Sequence, residues 1–246
     1  MTSIASSVAN RYAADVAAGR IERDDAQLAI VEKMTRLEER IAEYLSRKSS
    51  ALDWLFASRE QSPIKGLYIY GEVGRGKTML MDLFFDSSPV ERKRRAHFHE
   101  FMLDVHERIY LIRQKMKFGE HASEDPIALV AEQLAAEAWL LCFDEFHVTD
   151  IADAMILGRL FARLFERDTV VVATANIPPD ELYKDGLNRA LFVPFIATLN
   201  ARLDVVRLAA RTDFRLEKLS GQPIWYVPDD STAAALDAAW GRLTGG

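Results

Sequence analysis

The sequence predicts an α/β fold: a parallel β-sheet of five strands with helices layered on both faces. Three observations predict it. Short β-prone runs alternate with helix-like stretches, the pattern that builds βαβ units with right-handed crossovers. Residues 139–143 (Trp-Leu-Leu-Cys-Phe) are continuously apolar, as a strand covered on both faces must be. Residues 66–70 form a β-prone run that leads into a glycine-rich loop and then a helical stretch, the context of a phosphate-binding loop.

The elements follow in order. Residues 8–60 read as helical, with Asp24 or Asp25 capping a helix whose apolar positions Leu28, Val31, Met34 and Leu37 recur every three residues or so. Residues 36–41 mix charge signs, the mark of a solvated face. The first strand is 66–70 and the helix after the loop includes 79–85, broken by Ser87, Ser88 and Pro89. Residues 94–99 alternate like a strand, and 100–117 read as a helix. Asp125 and Pro126 make an N-cap and N1 pair opening a helix through Ala135. After the 139–143 strand, residues 151–165 are amphipathic, with Ile151, Met155, Phe161 and Phe165 among the apolar positions. A fourth strand spans 169–176, Pro178-Pro179-Asp180-Glu181 starts another helix, and 204–208 is the fifth strand.

The chemistry lies at the strand ends. Gly71, Glu72, Val73, Gly74, Arg75, Gly76, Lys77 and Thr78 match G-x-x-x-x-G-K-[ST]. In such a loop backbone N–H groups cradle phosphate oxygens, and the helix N-terminus adds partial positive charge. Lys77 would reach the β- and γ-phosphates of ATP, and Thr78 would ligate Mg²⁺. Asp144 and Glu145 stand at the C-terminal end of the apolar strand, the sheet edge where ligands bind. Asp144 would hold the Mg²⁺ shell, and Glu145 could polarise the attacking water, which favours a hydrolase over a kinase. Asn176 ends the next strand, and its order after the other two motifs gives it the role of a γ-phosphate and water sensor. Gln27 has two readings, a contact to the adenine base or an exposed helix residue.

A strand inserted between the phosphate-loop strand and the Asp144 strand, together with a glutamate after that aspartate, points to the additional-strand, catalytic-glutamate class of P-loop proteins, within which the AAA+ type of αβα sandwich belongs. The expected strand order is 5-1-4-3-2. The expected organisation is an N-terminal helical extension over 1–60, an ATPase core over 61–212 and a partial C-terminal segment over 213–246.

Composition narrows the classes. The chain has 246 residues, 49% hydrophobic and 28% charged, which suits a globular protein. No apolar run approaches the ~18 residues of a membrane span. The N-terminus lacks a hydrophobic signal core, and its acidic residues argue against a transit peptide. The single cysteine, Cys142, falls in a core strand and reads as a small buried hydrophobe, so a reducing cytoplasm fits. A net charge of −6 argues against a dedicated nucleic-acid binder, although Arg92, Lys93, Arg94 and Arg95 form a local basic cluster that could touch phosphates or simply open a solvated strand. His97 and His99 would share one strand face with His106 nearby, but no third ligand pattern accompanies them and no metal site is expected there.

Residues 66–196 resemble the ZapE-type cell-division ATPases, an AAA+ family with mitochondrial relatives. The resemblance is carried by GLYIYGEVGRGKTMLMDLFF (66–85), HFHEFMLDVH (97–106), LLCFDEFHVTDIADAMILGRLF (140–161) and VVVATANIPPDELYKDGLNRALFVPFI (170–196), and by RYAADVAAGRIERDDAQ (11–27). ATAN stands here where the family more often has ATSN, a change that keeps Asn176. The resemblance implies ATP hydrolysis by a homo-oligomer that remodels a protein partner, FtsZ at the bacterial division septum; mitochondrial members assist membrane-protein turnover. It also implies that Arg189, one helix beyond Asn176, is an arginine finger. Family members run well past residue 246, so a complete helical lid with its sensor arginine is not expected here. A helicase-loader-like ATPase acting on nucleic acid and a non-hydrolysing nucleotide switch are the alternative readings.

Overall fold

The computed structural model describes residues 7–49, 63–118 and 124–209. The expected C-terminal segment 213–246, and residues 50–60 of the N-terminal stretch, lie outside the described residues. Five strands, β1 (Gly66–Tyr70), β2 (Lys93–His97), β3 (Leu140–Asp144), β4 (Val170–Ala175) and β5 (Leu203–Arg207), form one parallel sheet in the order 2-3-4-1-5. This is the AAA+ order expected from the sequence, read from the opposite edge.

Alternation along the strands divides the core into two layers. Leu67, Ile69, Leu140, Cys142, Val170 and Val172 face one side, which α1 (Val8–Ala17), α2 (Asp25–Ser49) and α3 (Lys77–Ser87) cover. Tyr68, Leu141, Phe143, Val171 and Ala173 face the other, covered by α4 (Phe98–Lys117), α5 (Pro126–Glu137), α6 (Ile151–Glu166) and α7 (Val193–Arg202). The N-terminal helices thus pack directly on the sheet. Asp24 caps α2 through Oδ1, which accepts from the amides of Ala26 at 2.7 Å and Gln27 at 3.2 Å. The α2 stripe Ile30, Val31, Met34, Leu37 and Ile41 is buried at the helical spacing. Full burial pushes the Cys142 thiol up to about 12, so it is inert.

The second layer is dominated by rings. Phe98 lies 4.0 Å from Phe146 between centroids, Phe101 4.6 Å from Phe143, and Phe161 5.3 Å from Phe195. The series continues from Phe195 to Phe192 at 5.2 Å and from Phe192 to Tyr183 at 5.4 Å.

Three expectations require correction. The β2 strand ends at His97, and Phe98 already begins α4, so His97 and His99 do not share a strand face. The cause is the helical spacing of Phe98, Phe101, Met102, Val105, Ile109 and Ile112, all buried. Met155 is 49% exposed, because the buried stripe of α6 runs through Ala154, Leu157, Leu160, Phe161, Leu164 and Phe165. The stretch after β4 starts no α-helix. Pro179–Glu181 is a single 3₁₀ turn, Leu182 leaves it extended, and Tyr183 sits at φ 53°. A second 3₁₀ turn, Arg189–Leu191, is entered through Asn188 at φ 57°.

Candidate functional site

The glycine loop joins β1 to α3 at the C-terminal edge of the sheet. Gly74 and Gly76 hold φ of 82° and 83°, a region that side chains resist. Helix α3 then starts at Lys77 with no side-chain cap, so its first amides remain available to an anion. Lys77 Nζ donates to the carbonyls of Gly71 and Glu72 at 2.8 Å each and to Asn176 Oδ1 at 3.1 Å. The predicted phosphate lysine and the predicted sensor therefore touch. They meet because β1 and β4 are paired, Tyr70 with Ala175, and the Gly71 amide donates to the Ala175 carbonyl. Burial pushes the Lys77 ammonium below its ordinary value, while the Asp144 and Glu145 charges pull it back up.

Asp144 is the last residue of β3 and is 2% exposed. Its Oδ1 accepts from the Thr174 hydroxyl of the adjacent β4, and its Oδ2 lies 3.3 Å from Arg95 Nη2. Glu145 follows at φ 55°, a sparsely populated conformation for a side chain with a Cβ. That turn leaves Glu145 exposed while the next residue, Phe146, enters the core. The Glu145 amide donates to Thr174 Oγ1 at 3.3 Å, and the Phe146 amide to the Thr174 carbonyl at 2.7 Å. Thr78 is the second residue of α3 and is exposed.

Gln27 is 3% exposed, which rules out the exposed-residue reading. Its Nε2 donates to the Arg75 carbonyl at 3.1 Å, and its Oε1 accepts from the Tyr12 hydroxyl at 3.1 Å. The Tyr12 oxygen in turn accepts from the Asp24 amide at 3.2 Å. In the described structure the Gln27 amide therefore braces the glycine loop from the N-terminal helices. The Arg75 guanidinium bonds back to Glu72 at 2.8 Å. Beside the loop opens a cavity of about 420 Å³ whose lining includes Gly71, Glu72, Arg75, Asn176, Glu181 and Arg207.

Arg189 stands in the second 3₁₀ turn, and a 3₁₀ turn rather than the expected helix separates it from Asn176. Its Nη2 donates to the Asp180 carbonyl at 2.6 Å. Leu187, Leu191 and Val193 around it are exposed. The basic cluster is bonded within the fold, Arg94 and Arg95 to carboxylates and Arg92 and Lys93 to backbone carbonyls. Arg92 bonds the Ala136 carbonyl, Lys93 the Phe85 and Ser88 carbonyls, Arg94 the Asp104 carboxylate, and Arg95 both Asp82 and Asp144. His106 pairs with Asp153 at 2.6 Å. The roles of Tyr12, Thr174 and Arg95 escaped the sequence reading, which had Arg95 only as part of a basic cluster. Of the three, only Thr174 carried a signal, lying two residues before Asn176 on the same strand.

The uncapped α3 N-terminus, the left-handed glycines and the gathered Lys77, Asn176, Asp144 and Glu145 fit a Mg²⁺-nucleotide. A family model described as AFG1-like ATPase matches residues 6–246. The chain belongs to the AFG1-like ATPase family. It is 47% identical over 196 residues to the cell division protein ZapE of Escherichia coli strain K12, covering 78% of this chain and 50% of that protein. It is 49% identical over 191 residues to the lactation elevated protein 1 homolog B of Danio rerio, covering 76% of this chain and 38% of that protein. This AFG1-like chain thus spans about half the length, or less, of these curated relatives. Among solved structures, AMPPCP-bound DnaA from Aquifex aeolicus aligns over 100% of this chain and 64% of its own at 12% identity, with a TM-score of 0.48. Among the described residues no helix is long and apolar enough to cross a membrane.

Proposed function

We propose that the protein hydrolyses ATP to ADP and phosphate and couples turnover to the remodelling of a protein partner. The observation that carries this reading is the contact between Lys77 and Asn176 beside the Asp144–Glu145 strand end. The loop amides and Lys77 bind the phosphates. Mg²⁺, held by Thr78 and Asp144, supplies neutralising charge when bound. Asn176 orients the lytic water, and the exposed Glu145 carboxylate accepts its proton. Arg189 serves the site of a neighbouring copy in a homo-oligomer, since in its own subunit its guanidinium is turned to Asp180.

The partner we infer is FtsZ, in the cytoplasm and at the division septum. Support comes from the 47% identity to the cell division protein ZapE of Escherichia coli. A nucleic-acid substrate is disfavoured by the net charge of −6 and because Arg94 and Arg95 of the basic cluster are paired with carboxylates of the fold. The complete set Glu145, Asn176 and Arg189 favours hydrolysis over a passive switch. In the test, Glu145→Gln retains Mg·ATP binding and loses turnover, Lys77→Ala loses binding, and FtsZ changes the wild-type rate. Near-normal turnover in Glu145→Gln refutes the assignment of the base. An ATP affinity for Lys77→Ala within twofold of wild type refutes the nucleotide site.

A further inference from the structure

Asp144 is gripped from both sides. Thr174 holds Oδ1, and Arg95 Nη2 stands 3.3 Å from Oδ2. The same Nη2 is 2.9 Å from Asp82 Oδ1. Asp82 lies four residues after Thr78 on α3, so the two share a helix face one turn apart. Arg95 comes from the neighbouring strand β2, where it pairs in register with Cys142, two residues before Asp144. It therefore bridges the strand that ends in one expected Mg²⁺ ligand and the helix that carries the other in its first turn. Its Nε is buried and makes no bond to protein, and both carboxylates are met by Nη2.

Fold stability accounts for the contact to buried Asp144 but is a weak reason for the contact to Asp82. The Asp82 side chain is 52% exposed, and ion pairs with that much solvent contribute little. Both carboxylates meet the one terminal nitrogen, and the planar guanidinium holds it in a fixed orientation that an ammonium on a flexible stem does not reproduce. Groups that orient metal ligands without touching the metal typically alter metal affinity by about 10–100-fold when removed.

We propose that Arg95 is a positioning residue of the Mg²⁺ site: it fixes the Asp144 carboxylate and ties it through Asp82 to the helix that carries Thr78. The inference rests on the nucleotide-site reading above. Its signature is a change in the divalent-ion requirement that leaves metal-free nucleotide binding alone.

The test titrates the full chain with a fluorescent ATP analogue at graded Mg²⁺ and in EDTA. In Arg95→Met the Mg²⁺ needed for half-maximal tightening rises about tenfold or more, while affinity in EDTA stays within about twofold. Arg95→Lys recovers the requirement only partly. Asp82→Asn, at an exposed position, folds normally and raises the requirement about threefold, which keeps the idea testable where Arg95→Met fails to fold. An unchanged Mg²⁺ requirement in either folded variant overturns the inference. So does an equal loss of affinity with and without Mg²⁺, the mark of a merely structural role. A wild-type chain whose nucleotide affinity ignores Mg²⁺ instead overturns the reading of the site, and this inference with it.

Discussion

Replacing Thr174 with valine should destabilise the protein although it removes only one hydroxyl. Thr174 is fully buried in β4. Valine keeps the branched shape and suits a strand, so packing and backbone preference are preserved. The bond from Oγ1 to Asp144 Oδ1 is lost, and Asp144 is only 2% exposed, so water cannot replace the donor. A hydrogen bond to a charged group is worth about 1.5–3 kcal/mol, and an orphaned buried acceptor costs a similar amount. The Glu145 amide loses its 3.3 Å acceptor too, but it belongs to an exposed residue and water can take the place. We expect a loss of about 2–3 kcal/mol. At about 2–4 °C per kcal/mol for a chain of this size, Tm falls by about 4–12 °C. Thr174→Ser is the control: it keeps the hydroxyl, gives up one methyl and loses about 1 kcal/mol. Urea unfolding followed by circular dichroism ranks the three proteins. A valine variant as stable as wild type, or more stable than the serine variant, would refute the reasoning.

Other consequences are open to measurement. A Cβ on Gly66 would collide with the Val171 carbonyl oxygen across the β1–β4 pair, so Gly66→Ala should cost about 4 kcal/mol or more, read as lost soluble yield and a lower Tm. Glu38 is buried between the Val8 amide at 3.1 Å and the Ser87 hydroxyl, and burial raises its pKa above 4.5, with the two hydrogen bonds opposing. The folded state therefore holds this proton more tightly than the unfolded chain, and the stabilisation is complete below about pH 4.5 and lost as pH rises through the raised value. Glu38→Gln cannot lose a proton, so its Tm should gain on wild type from pH 4.5 upward; a gap that does not change with pH counts against the argument. Arg189→Ala should bind ATP normally and turn over about 10³-fold more slowly, with some activity restored on mixing with Glu145→Gln, because a mixed interface pairs an intact Glu145 with an intact Arg189. Wild-type turnover per subunit that is independent of protein concentration would reject the trans arrangement.

The parts of the site legible in the sequence are those written in contiguous residues. The glycine loop, the Asp144–Glu145 pair and Asn176 each announce themselves within a few positions, because strand, turn and helix chemistry is local. The strand order was also legible, since one added strand between two motifs selects one sheet arrangement. What escaped depends on contacts across the chain. Gln27 and Arg75 are separated by 48 positions, and Arg95 and Asp144 by 49. Neither Gln27 nor Arg95 looks unusual among its sequence neighbours. The expected helix at 178 failed for a different reason. Pro178 and Pro179 do open a turn, but Tyr183 and Asn188 take left-handed conformations that no periodicity reveals. The misplaced His99 and Met155 arose where two apolar spacings competed, and the aromatic layer decided between them.

That aromatic layer has a mechanical consequence. Phe146, the residue after Glu145, contacts Phe195 at 6.5 Å, and from there ring meets ring through Phe192 to Tyr183. The Tyr183 hydroxyl donates to the Leu187 carbonyl at 3.0 Å, two residues before Arg189, and its ring covers Gly186. The rings meet in three ways along this row, stacked between Phe146 and Phe195, tilted between Phe195 and Phe192, and edge to face between Phe192 and Tyr183, so it is a continuous packed train. If the Glu145 backbone relaxed from its left-handed turn, Phe146 would swing, and the displacement would have to be taken up along this row of plates. The carboxylate that would work on its own subunit's nucleotide and the arginine that would work on a neighbour's thus sit at opposite ends of one linkage. A displacement at either end would meet packed aromatic neighbours along the whole way to the other.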